Sequence, residues 1–377
     1  FVSIGIIIFG LFVLYNHIFN IWKTLSLYAL PSFLLFTFTL LDQYAIQMAK
    51  GFEKISVMGV AGVIGTVTTV ICNILFLITF KLGLTGFFGA YILGQAIPAF
   101  YILYKINFTK YVSFEIDKDL QKEMLIYSFP LVLNTLGWWA NNVSDRYVVT
   151  LMCGIAANGI YSVSYKIPSI LNVIQSIFTQ SWQISAVKEY GKRDTKKFYG
   201  NVILVINIGI CAICMLLILM SKFLAHFLYA KDFFAAWQYV PFLLVSVTLN
   251  CASGILGPIL SAKKDSKSMG VSALFGASTN VALNFLLIYF IGVQGAAVAT
   301  AISSFIIFFF RRRAVGDGIS LNFKFYLSWI IICIQAICMI YFELYALQIA
   351  LIIIFCFIYR TELKNCFDRG NALIKNK

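Results

Sequence analysis

Apolar residues occur in long runs along the whole chain, and short polar segments separate one run from the next. A helix needs roughly 20 apolar residues to cross the hydrocarbon core of a bilayer, and such runs recur throughout the sequence. Windows of high hydropathy predict membrane-spanning helices at residues 2–22, 28–48, 56–80, 86–106, 124–149, 157–185, 199–220, 236–260, 269–290, 293–312, 324–342 and 343–360. The pattern therefore predicts an all-α polytopic membrane protein with 12 visible spans.

The composition agrees with a membrane protein. Hydrophobic residues make up 61% of the 377 residues and charged residues only 12%, whereas a soluble domain is about 25% charged. The nine Cys are scattered and the two His stand apart, so we predict no metal site and no cofactor. The chain begins with Phe1 inside an apolar run, without a basic segment before it, which we interpret as an N-terminally truncated protein and not as a signal peptide.

The distribution of Lys and Arg predicts the orientation. Of the 29 basic residues, 23 lie in alternate segments between or after the predicted spans, namely 49–55, 105–123, 186–197, 261–268, 311–324 and the tail from residue 360. Because Lys and Arg accumulate in cytoplasmic loops, the tail at 361–377 is predicted to be cytoplasmic. The net charge of +14 is then mainly a signal of topology, and its dispersal over many short segments argues against a nucleic-acid partner.

An internal repeat predicts the domain organisation. Residues 58–75 match residues 269–286 at a constant offset of 211, and Gly86 then matches Gly295 in the following span. Duplicated units of six helices with the same orientation are known in secondary transporters, and two helices of the first unit would then precede Phe1, giving about 14 in all. We therefore predict an incomplete N-lobe with four of six helices at 1–106, a cytoplasmic inter-lobe loop at 107–123, a six-helix C-lobe at 124–312, an extra helix pair at 324–360 and a cytoplasmic tail at 361–377.

Ionisable side chains inside predicted spans are costly and mark candidate functional sites. Four are clear, namely Asp42, Asp145, Arg146 and Lys166. On the helix at 157–185, polar residues recur every three or four positions, which places on one face Ser162, Lys166, Ser169, Asn172, Ser176, Thr179 and Gln183. The preceding helix carries a similar polar face with Asn134, Trp138, Asn141 and Asp145, and beside it lie Asn142 and Arg146. Such faces predict a water-filled lumen.

The charges of this lumen indicate its ligands. No acidic residue falls at helical spacing from Lys166, and an unpaired cation within a membrane indicates an anionic ligand. We therefore predict a substrate-binding set of Arg146, Lys166, Asn142, Asn134, Asn172 and Ser169, and two candidate ion-coupling residues, Asp42 and Asp145. Two alternatives stay open. In place of the lumenal role, Asp145 and Arg146 would form a structural pair or lie together at the extracytoplasmic interface. Asp42 faces the same lumen or supports helix packing near a boundary.

Motifs for catalysis are missing from the sequence. It contains no G-x-x-x-x-G-K-[ST] motif for nucleotide phosphates. The longest predicted extracytoplasmic segment, residues 221–235, holds few groups suited to acid–base chemistry. We therefore predict that the protein is not an enzyme, and a membrane polymerase or ligase of glycans is disfavoured.

Several short motifs occur in a characteristic order, namely Phe129-Pro130-Leu131, Ser144-Asp145-Arg146-Tyr147, Gly159-Ile160-Tyr161-Ser162 and Gln180-Ser181-Trp182. This series resembles the polysaccharide transporter family of Wzx-like oligosaccharide flippases. That family belongs to the superfamily that also contains the MATE exporters and the lipid II flippases. In the family these elements open the second six-helix lobe, in agreement with the predicted C-lobe.

The resemblance implies a two-lobed transporter of the bacterial inner membrane. It implies a flippase that moves undecaprenyl-diphosphate-linked oligosaccharides, the precursors of O-antigen, lipopolysaccharide, capsule or exopolysaccharide, by alternating access, with Arg146 and Lys166 among the cations lining the lumen. Expected partners are the lipid-linked oligosaccharide, membrane lipids, a polysaccharide polymerase and glycosyltransferases. The alternative is a MATE-like ion-coupled exporter of small organic molecules, which would use acidic residues such as Asp42 and Asp145.

Overall fold

A computed structural model describes residues 2–19, 23–112, 117–319 and 321–362 of the chain. Within these ranges every regular element is a helix, and each of the 12 predicted spans coincides with one helix or with two consecutive helices. The predicted all-α architecture is thus confirmed. The chain divides into two compact units, Phe1–Ile116 and Asp117–Lys377.

The described residues of the first unit form five α-helices: α1 (Val2–Phe19), α2 (Lys23–Leu27), α3 (Ala29–Gly51), α4 (Ile55–Asn73) and α5 (Gly83–Lys105). Helix α4 continues as a π-helix at Ile74–Thr79, and a 3₁₀ turn follows α5 at Phe108–Tyr111. Its core is built mainly from small side chains, which allow α3, α4 and α5 to approach one another closely; it includes Ala45, Ala49, Ala61, Ala99 and Ile102.

The second unit contains the remaining α-helices: α6 (Lys118–Cys153), α7 (Ile155–Ser164), α8 (Lys166–Glu189), α9 (Thr195–Leu219), α10 (Ser221–Leu228), α11 (Val240–Ala262), α12 (Ser266–Ile291), α13 (Gln294–Val315), α14 (Phe323–Tyr341) and α15 (Tyr345–Ile358). A 3₁₀ segment, Lys231–Tyr239, leads into α11. Helix α11 is buried along nearly its whole length, because α8, α9, α13 and α14 surround it. The largest core cluster of the described chain forms around it.

Eight helices of the described chain are long and apolar enough to cross a membrane, and the apolar segments Gly5–Phe19 and Tyr345–Ile358 are shorter. Helices α6 and α8 carry more polar residues on their faces. Helix α6 begins six residues before the predicted span because the Asp117 side chain caps it, accepting hydrogen bonds from Asp119 N at 3.0 Å and Leu120 N at 2.9 Å. Near this end Lys264 Nζ donates to Glu123 at 2.8 Å, and that hydrogen bond lowers the pKa of the Glu123 carboxyl.

The predicted helix at 157–185 is broken at Tyr165, between α7 and α8. Pro168 explains the break, because it has no N–H to donate to the carbonyl of Ser164 one turn earlier. The Tyr229 hydroxyl donates to this carbonyl instead, at 3.2 Å. The junction is therefore held by a side chain from another part of the second unit.

The prediction that residues 311–324 form a loop is wrong at its start. Helix α13 continues to Val315 and ends at Gly316, whose φ of 63° lies in the left-handed region that favours glycine. Arg311 consequently lies within a helix, and its side chain is only 3% exposed. The sequence pattern places Arg311 among the loop charges that set topology, whereas its burial places it among the interior residues.

The sequence repeat is supported by equivalent packing inside each unit. A Cβ atom added to Gly86 would lie 3.2 Å from the carbonyl oxygen of Phe76, and one added to Gly295 would lie 2.5 Å from that of Leu287. These two pairs correspond in the repeat. In both units the later helix starts directly against the backbone of the preceding one, which leaves room only for glycine.

Candidate functional site

The polar face of α6 lies against α12 and α13 inside the second unit. Gly137 packs on Ala273 and Gly270 packs on Pro130, so that the backbones of α6 and α12 approach within contact distance. Small residues at both crossings bring the side chains between these helices close together. Asn141 and Asp145 are fully buried as a result.

Asp145 is the centre of a hydrogen-bonded cluster drawn from four helices. Asn284 Nδ2 on α12 donates to Oδ1 of Asp145 at 2.7 Å. The other carboxylate oxygen accepts from Thr300 Oγ1 on α13 at 2.5 Å, from Tyr161 OH on α7 at 3.1 Å and from Tyr165 OH at 3.2 Å. All four donors are neutral, and within the described part of the chain no basic residue forms an ion pair with this carboxylate.

The hydroxyl of Thr300 has one proton but two acceptors. It lies 2.5 Å from Asp145 Oδ2 and 2.9 Å from the carbonyl oxygen of Ala296. A hydroxyl can donate only once. Each contact has a proton of its own when Asp145 is protonated and donates to Thr300.

One oxygen in the same cluster has no hydrogen-bond partner among the described residues. Asn284 Oδ1 is buried and has no hydrogen-bond partner, although its Nδ2 also donates to Asn280 Oδ1 at 3.0 Å. Asn280 Oδ1 accepts a further hydrogen bond from Ser144 Oγ at 2.6 Å. Carboxylate, amide and hydroxyl oxygens are the ligands that hard cations prefer. The cluster therefore has the chemistry to bind a proton or a small cation.

Arg146 follows Asp145 in the sequence but points elsewhere. Its side chain is exposed, and its guanidinium lies 5.3 Å from the centroid of the Tyr165 ring, in a cation–π contact. Asp145 and Arg146 therefore do not form the structural ion pair that the sequence left open. Tyr165 touches both residues, with its hydroxyl on Asp145 and its ring under Arg146.

The other predicted residues of this face are placed on the outside of the second unit. Lys166, Ser169, Asn172 and Asn142 are exposed, and Lys166 has no ion pair among the described residues. These polar side chains of α8 are thus exposed on the surface of the second unit, whereas Ile167 and Leu171 on the other face of α8 are buried in the core.

Asn134 is placed inside the second unit, beside an arginine that the sequence analysis missed. Arg311 Nη2 donates to Asn134 Oδ1 at 2.7 Å, Nη1 to the carbonyl oxygen of Ser253 at 3.0 Å and Nε to Ser272 Oγ at 3.2 Å. The guanidinium also lies 5.6 Å from the ring centroid of Trp138. Asn134 is therefore committed to a cation of its own unit.

Asp42 lies on α3 in the first unit and is 7% exposed. Among the described residues its carboxylate has neither a hydrogen bond nor an ion pair. The same part of the chain contains no group of three or more His, Cys, Asp or Glu side chains that could hold a metal ion.

Several residues of the Asp145 cluster were not predicted. Asn280 and Asn284 are one turn apart in a largely apolar span, and Thr300 stands among alanines in the next helix. That spacing places the two amides on one face of α12. It is the feature of the sequence from which these two residues could have been predicted. Tyr161 belongs to the motif at 159–162, and Tyr165 lies one turn after it.

Comparison with known proteins agrees with this architecture. A family model described as "Polysaccharide biosynthesis protein" matches residues 1–184, which include the motifs between 129 and 182. The lipid II flippase MurJ in an inward closed conformation superposes with a TM-score of 0.65 at 15% identity, covering 96% of this chain and 83% of MurJ. The chain has the fold of MurJ and the MATE transporters. The resemblance found in the motifs is thereby confirmed.

Two further structures with this transporter fold extend the comparison. A mutant of the MATE transporter VcmN from Vibrio cholerae gives a TM-score of 0.69 at 13% identity, over 83% of this chain and 77% of that protein. A MOP superfamily transporter from Pyrococcus furiosus gives 0.68 at 14% identity, over 83% and 75%. No curated protein matches the sequence. At such low identity these similarities establish the fold alone.

Proposed function

We propose that the protein is a flippase for undecaprenyl-diphosphate-linked oligosaccharides, coupled to a cation or proton that binds at Asp145. The family match to polysaccharide biosynthesis and the fold shared with MurJ support a flippase of polar lipids. A diphosphate-sugar headgroup cannot cross hydrocarbon without groups that replace its hydration. The protein offers exposed cations and amides on α6 and α8 for that purpose.

One observation carries this proposal, namely the contact of Tyr165 with both Asp145 and Arg146. A proton or cation on Asp145 weakens the hydrogen bond that its carboxylate oxygen accepts from the Tyr165 hydroxyl. The same event neutralises a negative charge beside Arg146, which strengthens the attraction of Arg146 for an anion. A proton or cation bound at Asp145 therefore increases the affinity for a diphosphate, and a bound diphosphate increases the affinity for the proton or cation.

The break at Tyr165 gives this coupling a mechanical route. Tyr165 lies at the junction of α7 and α8, and Lys166 is the first residue of α8. A change in the hydrogen bonds of Tyr165 shifts the start of α8 and with it Lys166. In this proposal Arg146 and Lys166 bind the diphosphate, while Asn142, Asn172 and Ser169 bind sugar hydroxyls. Asn134 does not bind the substrate directly in this proposal, because its side-chain oxygen accepts a hydrogen bond from Arg311.

The energy for translocation comes from the coupled ion. Moving one elementary charge through 100 mV supplies about 2.3 kcal/mol. Asp42, buried on α3 without an ion pair in the described chain, is a second candidate for binding the ion. We place the protein in the bacterial inner membrane with a cytoplasmic C-terminus. Glycosyltransferases would then supply its substrate and a polymerase would consume its product.

The proposal is tested by export of surface polysaccharide in cells that depend on this protein. We expect Arg146→Gln and Lys166→Gln to reduce export at least tenfold at normal membrane abundance, with lipid-linked intermediates accumulating inside. Lys118→Gln, which removes an exposed cation from the start of α6, is the matched control and should export normally. Normal export by both Arg146→Gln and Lys166→Gln would contradict the proposal.

A further inference from the structure

A basic cavity lies at the end of the second unit where α9 and α14 begin. It has a volume of about 370 Å³ and is open to one side. Its polar lining comes from the segment before α9, the first turns of α9 and the residue before α14, namely Arg193, Asp194, Lys196, Lys197, Asn201 and Asn322. These residues take no part in the Asp145 cluster, so the cavity needs its own explanation.

The charges of the cavity are uncompensated within the described chain. Lys192 pairs with Glu189 at 2.8 Å, but Arg193, Lys196 and Lys197 form no ion pair with any described residue. Asp194 is the one acidic residue in the lining, so the cavity carries a net positive charge. A dense positive charge in a concave site attracts anions from the surrounding solution.

The position of Lys196 and Lys197 is unfavourable for the isolated protein. Both lie in the first turn of α9, where the N-cap residue Asp194 supplies a single negative charge against two cations. The N-terminus of a helix carries partial positive charge, so cations placed there are repelled by the helix and by one another. Asn322 adds the N-terminus of a second helix, α14, to the same cavity. A bound anion removes this repulsion.

The walls of the cavity are fixed by hydrogen bonds and by the core. Thr195 Oγ1 contacts the carbonyl oxygens of Glu189 and Lys192 at 2.5 and 2.7 Å, which holds the turn before α9. Gly200 and Phe325, which also line the cavity, are buried. The cationic side chains therefore extend from a preformed frame, which lowers the ordering cost of binding.

The orientation rule alone does not account for this arrangement. Positive residues direct topology by their number near the ends of the spans, wherever they lie in the loop. That rule requires no cavity and no convergence of three cations on two helix N-termini. Basic pockets between membrane helices on the cytoplasmic side are typical binding sites for phosphate-bearing lipid headgroups.

We propose that this cavity binds a phosphate group, presented either by an anionic phospholipid of the adjacent leaflet or by a soluble phosphate. Lys196, Lys197 and Arg193 supply the charge, and the Asn201 and Asn322 side chains supply neutral hydrogen-bond donors. The site is separate from the residues proposed to bind the transported lipid, and it does not depend on the proposed function.

The test measures thermal unfolding of the purified full chain in neutral detergent. One titration uses inorganic phosphate and the other uses phosphatidylglycerol, with phosphatidylcholine as the uncharged reference. Stabilisation by phosphate shows that the soluble ion suffices, and stabilisation by phosphatidylglycerol alone identifies the lipid as the source. Either result supports the site, provided that the variants below respond as expected.

Two variants and one control locate the binding. K196Q/K197Q should need at least ten times more ligand than the wild type for the same rise in unfolding temperature. Asn201→Trp keeps every charge but fills the cavity, and it should have the same effect. K118Q/K122Q removes two exposed cations outside the cavity lining and should respond as the wild type does. The proposal is overturned if neither ligand stabilises the protein, if the control loses as much as K196Q/K197Q, or if Asn201→Trp binds normally.

Discussion

Replacement of Arg311 by methionine tests whether this residue joins the helices of the second unit. The guanidinium of Arg311 on α13 donates to Asn134 on α6, Ser253 on α11 and Ser272 on α12, at 2.7, 3.0 and 3.2 Å. Methionine has a similar length but donates no hydrogen bond. Three acceptors on three helices would therefore lose their donor at once.

The magnitude follows from those acceptors. Loss of a hydrogen bond from a charged donor costs about 1–3 kcal/mol. Burial of the guanidinium itself is unfavourable, and removing the charge recovers part of that cost. We therefore take the low end for each acceptor and expect a loss of about 3 kcal/mol in the free energy of unfolding. For a unit of this size that corresponds to a fall of roughly 6–12 °C in Tm.

The assay is thermal unfolding in detergent, followed by tryptophan fluorescence. Trp138, one of six Trp in the chain, lies 5.6 Å from the guanidinium, measured to its ring centroid, and contributes a signal from this site. Arg313→Met is the matched control, because Arg313 is exposed on the same helix and surface substitutions usually change stability by less than about 0.5 kcal/mol. If Arg311→Met unfolds at the wild-type temperature, Arg311 does not hold these helices together.

Two other substitutions probe the repeat and the coupling. Gly295→Ala places a methyl group 2.5 Å from the carbonyl oxygen of Leu287 and should lower the free energy of unfolding by about 1–3 kcal/mol. Gly159→Ala is the control, because the nearest atom to its new methyl group lies at 3.9 Å. Equal thermal stabilities of the two variants would contradict this packing. Tyr165→Phe keeps the ring but removes the hydroxyl that faces Asp145. It should retain substrate binding and lose the dependence of that binding on cation concentration, and an unchanged dependence would argue against Tyr165 as the link.

The sequence predicted the helices well because bilayer thickness and apolar run length are directly related. It was less successful where one polar group decides the local structure. Asp117 extends α6 by capping it, and Pro168 breaks a span whose hydropathy is continuous. Neither effect changes average hydropathy, so window methods do not detect it.

The candidate site was predicted in part. The intramembrane charges at 145 and 146 were recognised as candidates. The contacts of Tyr165 with both side chains were not predicted. Arg311 was assigned to a loop because three consecutive arginines resemble a topology signal, and only tertiary packing distinguishes the buried arginine from the exposed Arg313. The contacts of Asp145 with Asn284 and Thr300 connect residues more than 130 positions apart, which helical spacing does not reveal.

The most direct test of the central proposal is the initial rate at which the full-length protein, in liposomes, translocates a fluorescent undecaprenyl-diphosphate-linked oligosaccharide. The rate is compared with and without a sodium or proton gradient, for the wild type and for Asp145→Asn. We predict that a gradient accelerates the wild type and leaves Asp145→Asn unaffected, while both bind the substrate. Equal acceleration of the two proteins, or no translocation by the wild type under any gradient, would contradict the account.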